Sequence, residues 1–506
     1  MKTIIGTQSM RAGVLDITGN FRFVASHDYS PVFSPGNRAE QDPKSWETAL
    51  FSTLSRVGLY LAQQPECEVT AIAITSQRAS VIPVDENGTP LYNALMWQDK
   101  RATAECSDIQ EKISMTDLYL ECGLRLDPYF SLPKMLWLRK NRPEVWAKTH
   151  KLLGVQDYVA YLLTGNYVTD WSQACRTMLL NLRTFEWNQK LLRLFDLPED
   201  MLCALCPPGG SAGGLSEDYA RRSGVVPAGV PVLLCGGDQQ CAAVGSGIIK
   251  EGMAEITVGT AGVIVAAVDK VYPEPQHEIY FSGHANPGKW DMEGQVTMAA
   301  SNLKWYRDTF CDTEAAVSKA TGQDVYDIIC AEAANAAVGS RGLIYFPFLQ
   351  GQLTPYYCEA ARAGYVGITP AHGKPEMARA VLEGVAYELN MSIDAMQRVL
   401  GRPFDVIRLS GGGAKSPLWR QIQADVYGVP VEKLKIFDCG LVGSAALGAT
   451  AVGIFGSVEE AVASMVHTDG FVEPIMAHHE VYKEYYGIFR DAFLAWRNNG
   501  IYDRLA

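Results

Sequence analysis

The chain has no long apolar segment. No stretch of its 506 residues approaches the roughly 20 uninterrupted apolar residues that span a bilayer. The opening residues 1–6 (MKTIIG) also lack the apolar core of a signal peptide. Neither a membrane-spanning nor a secreted protein is therefore expected, and the cytoplasm is the predicted location.

An excess of positive charge is also absent. Lysine and arginine number 44 against 56 aspartates and glutamates, which gives a net charge of −12. Domains that bind nucleic acid over an extended surface are usually basic, so this class of function is not expected. An anionic substrate is still compatible, because local charge overrides the average.

The cysteines form neither a zinc-type pattern nor a disulfide framework. There are twelve, and the one C-x-x-C, at Cys203 and Cys206, is not followed by a second pair at zinc-ribbon spacing. Scattered thiols in a chain of this size are typical of reduced, mostly buried cysteines. The length predicts two large domains, which we place at residues 1–249 and 250–506.

The most informative stretch is LLCGGDQQCAAVGSGIIKEGMAEITVGTAG, at residues 233–262. Its apolar start predicts a buried strand, Gly236 and Gly237 predict a sharp turn, and the Ala-rich continuation predicts a helix. Asp238 then stands at a helix N-terminus and a strand end, where α/β folds bind ligands. Two interpretations fit: Asp238 is an ordinary N-cap, or it is a base that accepts the proton of a substrate hydroxyl.

A second tight turn, GTAG, begins at Gly259 after another β-rich run. Its N–H groups and the Thr260 hydroxyl suit a phosphate, and a base beside a phosphate suggests phosphoryl transfer to an alcohol. Residues 3–16 and 256–269 share the order strand, Gly-Thr turn, strand, with an Asp ten residues after the glycine. This repetition predicts a duplicated fold that holds a phosphate between two domains, and two plain β-hairpins are the alternative.

Several polar side chains have both a structural and a functional interpretation. Arg78 ends the segment TSQR after a β-rich run and is the strongest candidate donor to a polar ligand. Trp97, Asp99 and Arg101 form either a buried structural network, which we favour, or part of a site. Tyr129, in a proline turn, either presents its hydroxyl to a ligand or packs in the core.

A glycine-rich loop occurs in the second half of the chain. SGGGAKS, at residues 410–416, follows a predicted strand and precedes a predicted helix, so a planar or phosphorylated ligand could approach its backbone. In the alternative interpretation the glycines serve only a tight turn. Lys304, on a predicted helix, faces either a nucleotide phosphate or water. Residues 169–177 (TDWSQACRT) are polar and turn-like.

In this order, the segments resemble the FGGY family of carbohydrate kinases over essentially the whole chain. The most specific parts are CGGDQQCAAVG, TVGTAG, GYVGIT with MARAVLEGVAYE, and SGGGAKSPLWRQIQADV. The resemblance implies an α/β fold of two duplicated actin/hexokinase-type (ribonuclease H-like) domains with an interdomain cleft. It also implies ATP and Mg2+ as cofactors, with sugar binding and the catalytic Asp in residues 1–249 and ATP binding in residues 250–506.

The resemblance also implies roles for individual residues. Asp238 would be the catalytic base, and Arg78, Tyr129 and Gln239 would line the substrate pocket with it. The expected contacts to ATP and its phosphates are Thr7, Gln8, Ser9, Gly259, Thr260, Ala300, Lys304, Gly412 and Ser416. Within the family, TSQR, NALMWQDKR, LRLDPYFS and GDQQ are most similar to glycerol kinases.

Two positions depart from the glycerol-kinase pattern. Ala79 replaces a Glu after the Arg, and Val263 replaces an aromatic residue, while the His of xylulokinases near Ala79 is absent as well. Losing a carboxylate that holds hydroxyls should weaken glycerol binding by roughly 1–3 kcal/mol. The predicted substrate is therefore a ketopentose such as xylulose or ribulose, with glycerol second.

The larger departure is at the N-terminus, where family members read G-x-D-x-G-T and the Asp helps to hold Mg2+ and phosphate. Aligned on Gly6-Thr7, the chain has Ile4 in place of this Asp; alternatively, Gly6 is the first glycine and four residues are missing. In either alignment a metal would rely on ATP phosphates, water and Asp238. A first strand shortened in this way is expected to pair incompletely in its sheet.

Together, these features predict an ATP-dependent kinase that transfers the γ-phosphate of ATP to a hydroxyl of a small sugar or polyol. One alternative, motivated by the missing Asp, is a catalytically impaired kinase-fold protein that binds nucleotide or sugar as a sensor. A weaker alternative is an actin/Hsp70-like ATPase, which GDQQ and TSQR argue against. The expected partners are the sugar or polyol and ATP, a homodimer is left open, and neither nucleic acid nor a membrane is expected.

Overall fold

The computed structural model describes residues 2–224, 226–272, 274, 276–435 and 438–505. The strands of the first half are β1 Lys2–Ile5, β2 Ser9–Leu15, β3 Phe21–Asp28, β4 Val32–Ser34, β5 Arg38–Gln41, β6 Ile72–Ser76, β7 Ile82–Val84, β8 Ala94–Leu95, β9 Lys151–Leu153, β10 Val168–Asp170, β11 Ala204–Cys206, β12 Gly210–Gly214 and β13 Pro231–Gly237. Its helices are α1 Lys44–Leu61, α2 Thr103–Gln110, α3 Met115–Cys122, α4 Ser131–Asn141, α5 Pro143–Trp146, α6 Val155–Thr164, α7 Trp171–Ala174, α8 Gln189–Phe195, α9 Glu217–Ser223 and α10 Asp238–Gly245.

The second half has the same mixture of strands and helices. Its strands are β14 Met253–Val258, β15 Gly262–Val268, β16 Tyr280–Gly283, β17 Trp290–Val296, β18 Ile344–Phe346, β19 Gly364–Val366, β20 Val406–Ser410, β21 Val431–Leu434 and β22 Thr468–Val472. Its helices are α11 Ala300–Phe310, α12 Asp312–Thr321, α13 Val325–Ala333, α14 Lys374–Leu400, α15 Pro417–Tyr427, α16 Cys439–Ala451, α17 Val458–Met465 and α18 Met476–Asn498.

Each half contains one large mixed sheet, and the two sheets share a strand plan. In the first, with order β12-β13-β6-β1-β2-β3, β1 is antiparallel to β2 and parallel to β6, and β6 is parallel to β13. In the second, with order β16-β17-β15-β14-β20-β21-β22, β14 is antiparallel to β15 and parallel to β20, and β20 is parallel to β21. The two Gly-Thr hairpins occupy equivalent places, so the predicted duplicated α/β fold is confirmed.

The expectation that the first strand pairs incompletely is wrong. All four residues of β1 pair with β2 on one side and with β6 on the other. The strand lies in the middle of its sheet, and Ile4 and Ile5 are buried. Ile4 thus lies within a paired strand, two residues before Gly6, and both alignments of this segment stay open.

Helices α10 and α16 pack across the boundary between the halves. Helix α16 packs on β1, β6 and β13 of the first sheet, where Ala445 joins an apolar cluster with Ala73. Helix α10 contacts β15 of the second sheet, where Ala243 packs with Val265.

Glycines set the distance at which α10 and α16 cross. A Cβ added to Gly245 would lie 1.8 Å from the backbone oxygen of Cys439, and one added to Gly443 would lie 1.8 Å from that of Cys241. Residues with side chains cannot occupy these two positions at this separation.

Across the helices that the structure describes, none combines the length and apolar character needed to cross a membrane.

Candidate active site

Three parallel strands bring distant segments of the first half to one edge of its sheet. Strands β1, β6 and β13 are neighbours that run in the same direction, so their carboxyl ends meet. The residues that follow these strands include Thr7, Arg78 and Asp238. Ligands of α/β folds bind at this edge, and three of the predicted site residues lie there.

Asp238 is the first residue of α10, and the N-cap position belongs to Gly237. The Asp238 carboxylate accepts a hydrogen bond from the Gln239 N–H at 2.9 Å, and 32% of its side chain is exposed. Burial raises the pKa of Asp238 above its ordinary value, and the positive charge of Arg78 opposes that shift. The structure therefore places a partly exposed carboxylate of raised pKa at the start of α10, and Gly237 rather than Asp238 is the N-cap.

The Arg78 guanidinium is buried next to this carboxylate. Its Nε lies 3.5 Å from Asp238 Oδ1, and Nη1 and Nη2 donate to the Glu293 carboxylate at 2.8 and 3.1 Å. Nη1 also donates to Gln240 Oε1 at 3.1 Å. Gln240 is thus the glutamine that contacts Arg78, and its neighbour Gln239, predicted to line the substrate pocket, is half-buried.

Glu293 reaches this site from β17 of the second sheet. Its carboxylate accepts hydrogen bonds from Arg78, from Arg176 and, at 2.6 Å, from Gln295 Nε2. Burial by itself would raise the pKa of Glu293, but the charges of Arg176 and Arg78 outweigh it and hold the pKa at about 2. This ionised carboxylate connects the two halves of the chain at the candidate site, and the sequence analysis missed both Glu293 and Arg176.

Tyr129 faces the same charged group. Burial raises the pKa of Tyr129, while the charges of Arg78 and Arg176 lower it. Its ring centroid lies 5.5 Å from that of Trp97, whose Nε1 donates to Thr7 Oγ1 at 3.0 Å. Trp97 therefore links the candidate substrate side to the first Gly-Thr turn.

The neighbours of Trp97 have the structural role that we favoured. Asp99 accepts hydrogen bonds from the Ala39 N–H at 2.6 Å and from Arg101 Nη2 at 2.7 Å. Both Asp99 and Arg101 have buried side chains.

Lys134 connects two loops of the site through hydrogen bonds to their backbones. It is completely buried on α4, and its Nζ donates to the backbone oxygens of Ala79, at 3.0 Å, and Tyr129. Burial lowers the pKa of Lys134 to about 7. The only signal for this residue in the sequence is a lone lysine within an apolar helical stretch, LPKMLW.

The first Gly-Thr turn is braced on its own hairpin. The Gly6 N–H donates to the Ser9 oxygen at 2.9 Å, and Tyr29 supports the turn from the next strand. Its hydroxyl donates to the Gly6 oxygen and its N–H donates to the Gln8 oxygen, both at 2.9 Å. Thr7 and Ser9 are half-buried and Gln8 is exposed, so the turn is fixed in place and remains open to a ligand.

The second Gly-Thr turn is fixed to the start of α11. The Ala300 N–H donates to the Gly259 oxygen at 2.8 Å, and the Ala299 N–H donates to the Thr260 oxygen at 2.9 Å. Lys304, one turn further along α11, has an exposed side chain.

The glycine-rich loop packs directly against the end of β14. Gly411 has a φ of 79°, and a Cβ added there would lie 2.7 Å from the Val258 oxygen. A Cβ added to Gly412 would meet no atom within 4 Å, which leaves that position open to a ligand. Ser416 caps α15 by accepting a hydrogen bond from the Trp419 N–H at 3.3 Å.

Two family models cover most of the chain. The model of the FGGY family of carbohydrate kinases, N-terminal domain, matches residues 4–245, and that of the C-terminal domain matches residues 254–452. The chain belongs to the FGGY family of carbohydrate kinases. Members of this family are phosphotransferases that act on sugar hydroxyls, and the chain is a sugar kinase with the two-domain actin/hexokinase-type fold.

Individual FGGY relatives extend over nearly the full length. The xylulose kinase of Staphylococcus epidermidis is 30% identical over 96% of this chain and 94% of its own length. The gluconokinase of Bacillus subtilis is 29% identical over 96% of this chain and 93% of its own length. The crystal structure of ligand-bound xylulose kinase from Lactobacillus acidophilus superposes with a TM-score of 0.91 at 25% identity and covers 100% of both chains.

The corner before Thr7, where the resemblance to FGGY kinases implies a carboxylate, is apolar in this chain. A Cβ added to Gly440 would lie 2.9 Å from Ile4 Cδ1 and 3.7 Å from the backbone oxygen of Asp238. In the part of the chain that the structure describes, no three His, Cys, Asp or Glu side chains are grouped to hold a metal. Ile4 therefore supplies no ligand for a metal at this corner, and the partly exposed Asp238 is the carboxylate that was predicted to contribute.

Proposed function

We propose that this sugar kinase transfers the γ-phosphate of ATP to a hydroxyl of a ketopentose such as xylulose or ribulose. The observation that carries the proposal is Asp238, a partly exposed carboxylate of raised pKa beside Arg78 at the end of β13. Xylulose kinases among the relatives support the ketopentose.

Each predicted residue has a task in this proposal. Asp238 takes the proton of the attacking hydroxyl, while Arg78, Tyr129 and Gln239 orient the sugar. Backbone N–H groups and hydroxyls of the two turns stabilise the transferred phosphoryl group, as expected for phosphoryl transfer. The contacts proposed for ATP and its phosphates are Thr7, Gln8, Ser9, Gly259, Thr260, Ala300, Lys304, Gly412 and Ser416.

Mg2+ enters this proposal as part of the substrate MgATP. Because the corner at Ile4 offers no carboxylate, the phosphates of ATP would hold the ion. Sugar binding is assigned to residues 1–249, with Glu293 added from the second half, and ATP binding to residues 250–506. Assembly as a homodimer remains a prediction, which light scattering tests.

The test is ADP release from MgATP with a panel of ketopentoses, pentitols and glycerol. Asp238→Asn should lower kcat by about 10²- to 10⁴-fold, since it removes the base and retains the shape of the side chain. Binding of ATP, measured by calorimetry, should be nearly unchanged. Asp312→Asn, at the first position of α12 on the exposed surface, is the matched control and should have full activity. Near-normal turnover by Asp238→Asn would show that the base is another group.

Two other functions have specific support. Glycerol is the second substrate, because Arg78 and Tyr129 face one site as the glycerol-kinase resemblance implies. A sensor that binds without efficient catalysis is motivated by Ile4. If the enzyme does not need this carboxylate, the Ile4→Asp variant and the unmodified protein should turn over the same sugar at similar rates. Turnover that occurs only in Ile4→Asp would favour the sensor.

A further inference from the structure

Arg176 has hydrogen-bonding capacity that the protein does not use. It lies in the short helical segment Cys175–Thr177, and none of its side chain is exposed. Nη2 donates to Glu293, whereas Nε and Nη1 find no hydrogen-bond partner among the residues that the structure describes. A buried guanidinium with two unpaired nitrogens is costly, so such groups are normally satisfied by a ligand or by water.

The position of Arg176 places this capacity on the substrate side. Glu293 is shared between Arg176 and Arg78, and Arg78 in turn lies beside Asp238. The charges of both arginines act on the hydroxyl of the partly buried Tyr129. Contacts thus run without a break from the proposed base, through Arg78 and Glu293, to Arg176.

The charges of this group are balanced before any ligand binds. Arg78 and Arg176 contribute two positive charges, while Glu293 and the ionised base Asp238 contribute two negative ones. The nearby Asp291 supplies no counter-charge for an anion, because a carboxyl group is either neutral or negative, and burial raises its pKa well above its ordinary value. A buried carboxylate on the substrate would therefore lack a counter-charge, whereas an uncharged oxygen needs only donors.

We propose that Arg176 contacts the substrate, donating from Nε and Nη1 to a carbonyl or hydroxyl oxygen of an uncharged sugar. This oxygen lies at the end of the sugar remote from the phosphorylated hydroxyl. The inference rests on the proposed function and names the substrate class more closely: a neutral ketose or polyol rather than a sugar acid.

Asp291 is an alternative partner, within the protein, for Nε and Nη1 of Arg176. It lies two residues before Glu293 on β17, is completely buried, and both of its carboxyl oxygens lack a hydrogen-bond partner within the described ranges. A small side-chain rotation could pair it with Arg176, so the experiment includes this residue.

The test compares Arg176→Lys with the unmodified enzyme on a ketopentose, the pentitol made by reducing it, and an aldonate. Lysine retains the positive charge next to Glu293 but not the planar pair of donors. We expect the KM for the ketopentose to rise by about 10-fold, which corresponds to one or two lost hydrogen bonds. The ratio of kcat/KM between the ketopentose and the pentitol should move closer to one, whichever of the two the unmodified enzyme prefers. The KM for ATP should stay within about 2-fold of that of the unmodified enzyme.

Two matched variants distinguish direct contact between Arg176 and the sugar from a purely structural role of Arg176. Arg379→Lys alters another buried arginine, which pairs with Glu383 at 2.8 Å in the second half, and should lower stability without changing the KM for sugar. Asp291→Asn should leave the sugar preference unchanged. If it reproduces the kinetic changes of Arg176→Lys, then Arg176 acts through Asp291 and the proposal is wrong.

Other outcomes are equally decisive. If Arg176→Lys slows all substrates by the same factor while lowering the melting temperature, the role of Arg176 is structural. Preferred turnover of the aldonate that is lost in Arg176→Lys would overturn the uncharged class. If the unmodified enzyme phosphorylates none of the panel, the proposed function fails. Calorimetric binding of the ketopentose to the two proteins then tests Arg176 by itself, and equal affinities would overturn its role.

Discussion

Buried charged side chains hold the residues of the candidate site in position. Glu293 accepts hydrogen bonds from the guanidinium groups of Arg78 and Arg176, and Lys134 donates to the backbone oxygens of Ala79 and Tyr129. Burial of the Lys134 ammonium, which hydrogen-bonds only to neutral carbonyl groups, is electrostatically unfavourable, because its lost hydration outweighs the attraction of Asp99 and Asp127. The buried Lys134 therefore lowers the stability of the protein, while its hydrogen bonds fix the geometry of the two loops.

This cost makes the stability of the protein depend on pH in a predictable direction. Burial lowers the pKa of Lys134 to about 7 from its ordinary 10.5. Between these values the unfolded chain binds a proton at Lys134 that the folded chain does not, so Lys134 contributes a rise in the free energy of unfolding with pH from about 7 to about 10.5. Below about pH 7 the full penalty applies. In Lys134→Met this rise should be absent, and urea unfolding at several pH values measures it.

The control for Lys134 is a second lysine that donates to backbone carbonyls. Lys151 bonds to the oxygens of Asp200 and Leu202, but it is only half-buried. Lys151→Met should retain the pH dependence of the unmodified protein. Equal slopes for Lys134→Met and the unmodified protein would show that Lys134 is not the titrating group.

At the scale of secondary-structure elements, the crossing of α10 and α16 fixes the base. Asp238 is the first residue of α10, and this helix is held against α16 through Gly245 and Gly443. Any increase in the helix separation therefore moves the carboxylate relative to Arg78.

Gly443→Ala should lower both stability and turnover. The added methyl group would lie 1.8 Å from the Cys241 oxygen, so the backbone of α10 or α16 has to shift. Overpacking of this kind costs about 1–3 kcal/mol. Thermal unfolding and kcat measure the two effects.

Gly487→Ala provides the matched control. It makes the same change inside α18, where a Cβ would meet nothing within 4 Å. The helix propensity of alanine should then stabilise the protein by up to about 1 kcal/mol without altering kcat. Equal effects of the two substitutions would contradict the close-packing argument.

The elements that could be predicted from the sequence are those whose causes are local. Glycine turns, apolar runs and the start of a helix at Asp238 lie within a few residues of one another, so the hairpins and the strand–helix units follow from the pattern. Glu293 was not predictable in this way, because its partners Arg176 and Arg78 are 117 and 215 residues away in the chain. Its strand is buried on both faces, so alternation did not single it out. Gln240 was not predicted either, because its contact with Arg78 joins residues 162 positions apart in the chain.

At the scale of the whole molecule, neither half is self-contained. The first sheet is covered on one side by α16, and α10 of the first half lies on β15. The division at residues 249 and 250 remains a prediction, and α10 and α16 make contacts across it.

Fragments of the chain test this interdependence. Residues 1–249 expressed alone should be insoluble or should bind a hydrophobic dye, because the apolar face that α16 covers would be exposed. Coexpression with residues 250–506 should restore a soluble complex with one main thermal transition. A soluble, cooperatively folded fragment 1–249 would show that α16 is not needed for the first core.

The position of α16 also has a consequence for the order of events on the ribosome. The strands that it covers are complete by residue 237, but α16 itself ends at Ala451, so more than two hundred residues are translated in between. At about 5–20 residues per second, the nascent chain carries an uncovered apolar surface for at least about ten seconds. Translation speed and chaperone supply should therefore limit the yield of active enzyme more strongly than they would for two domains that close one after the other.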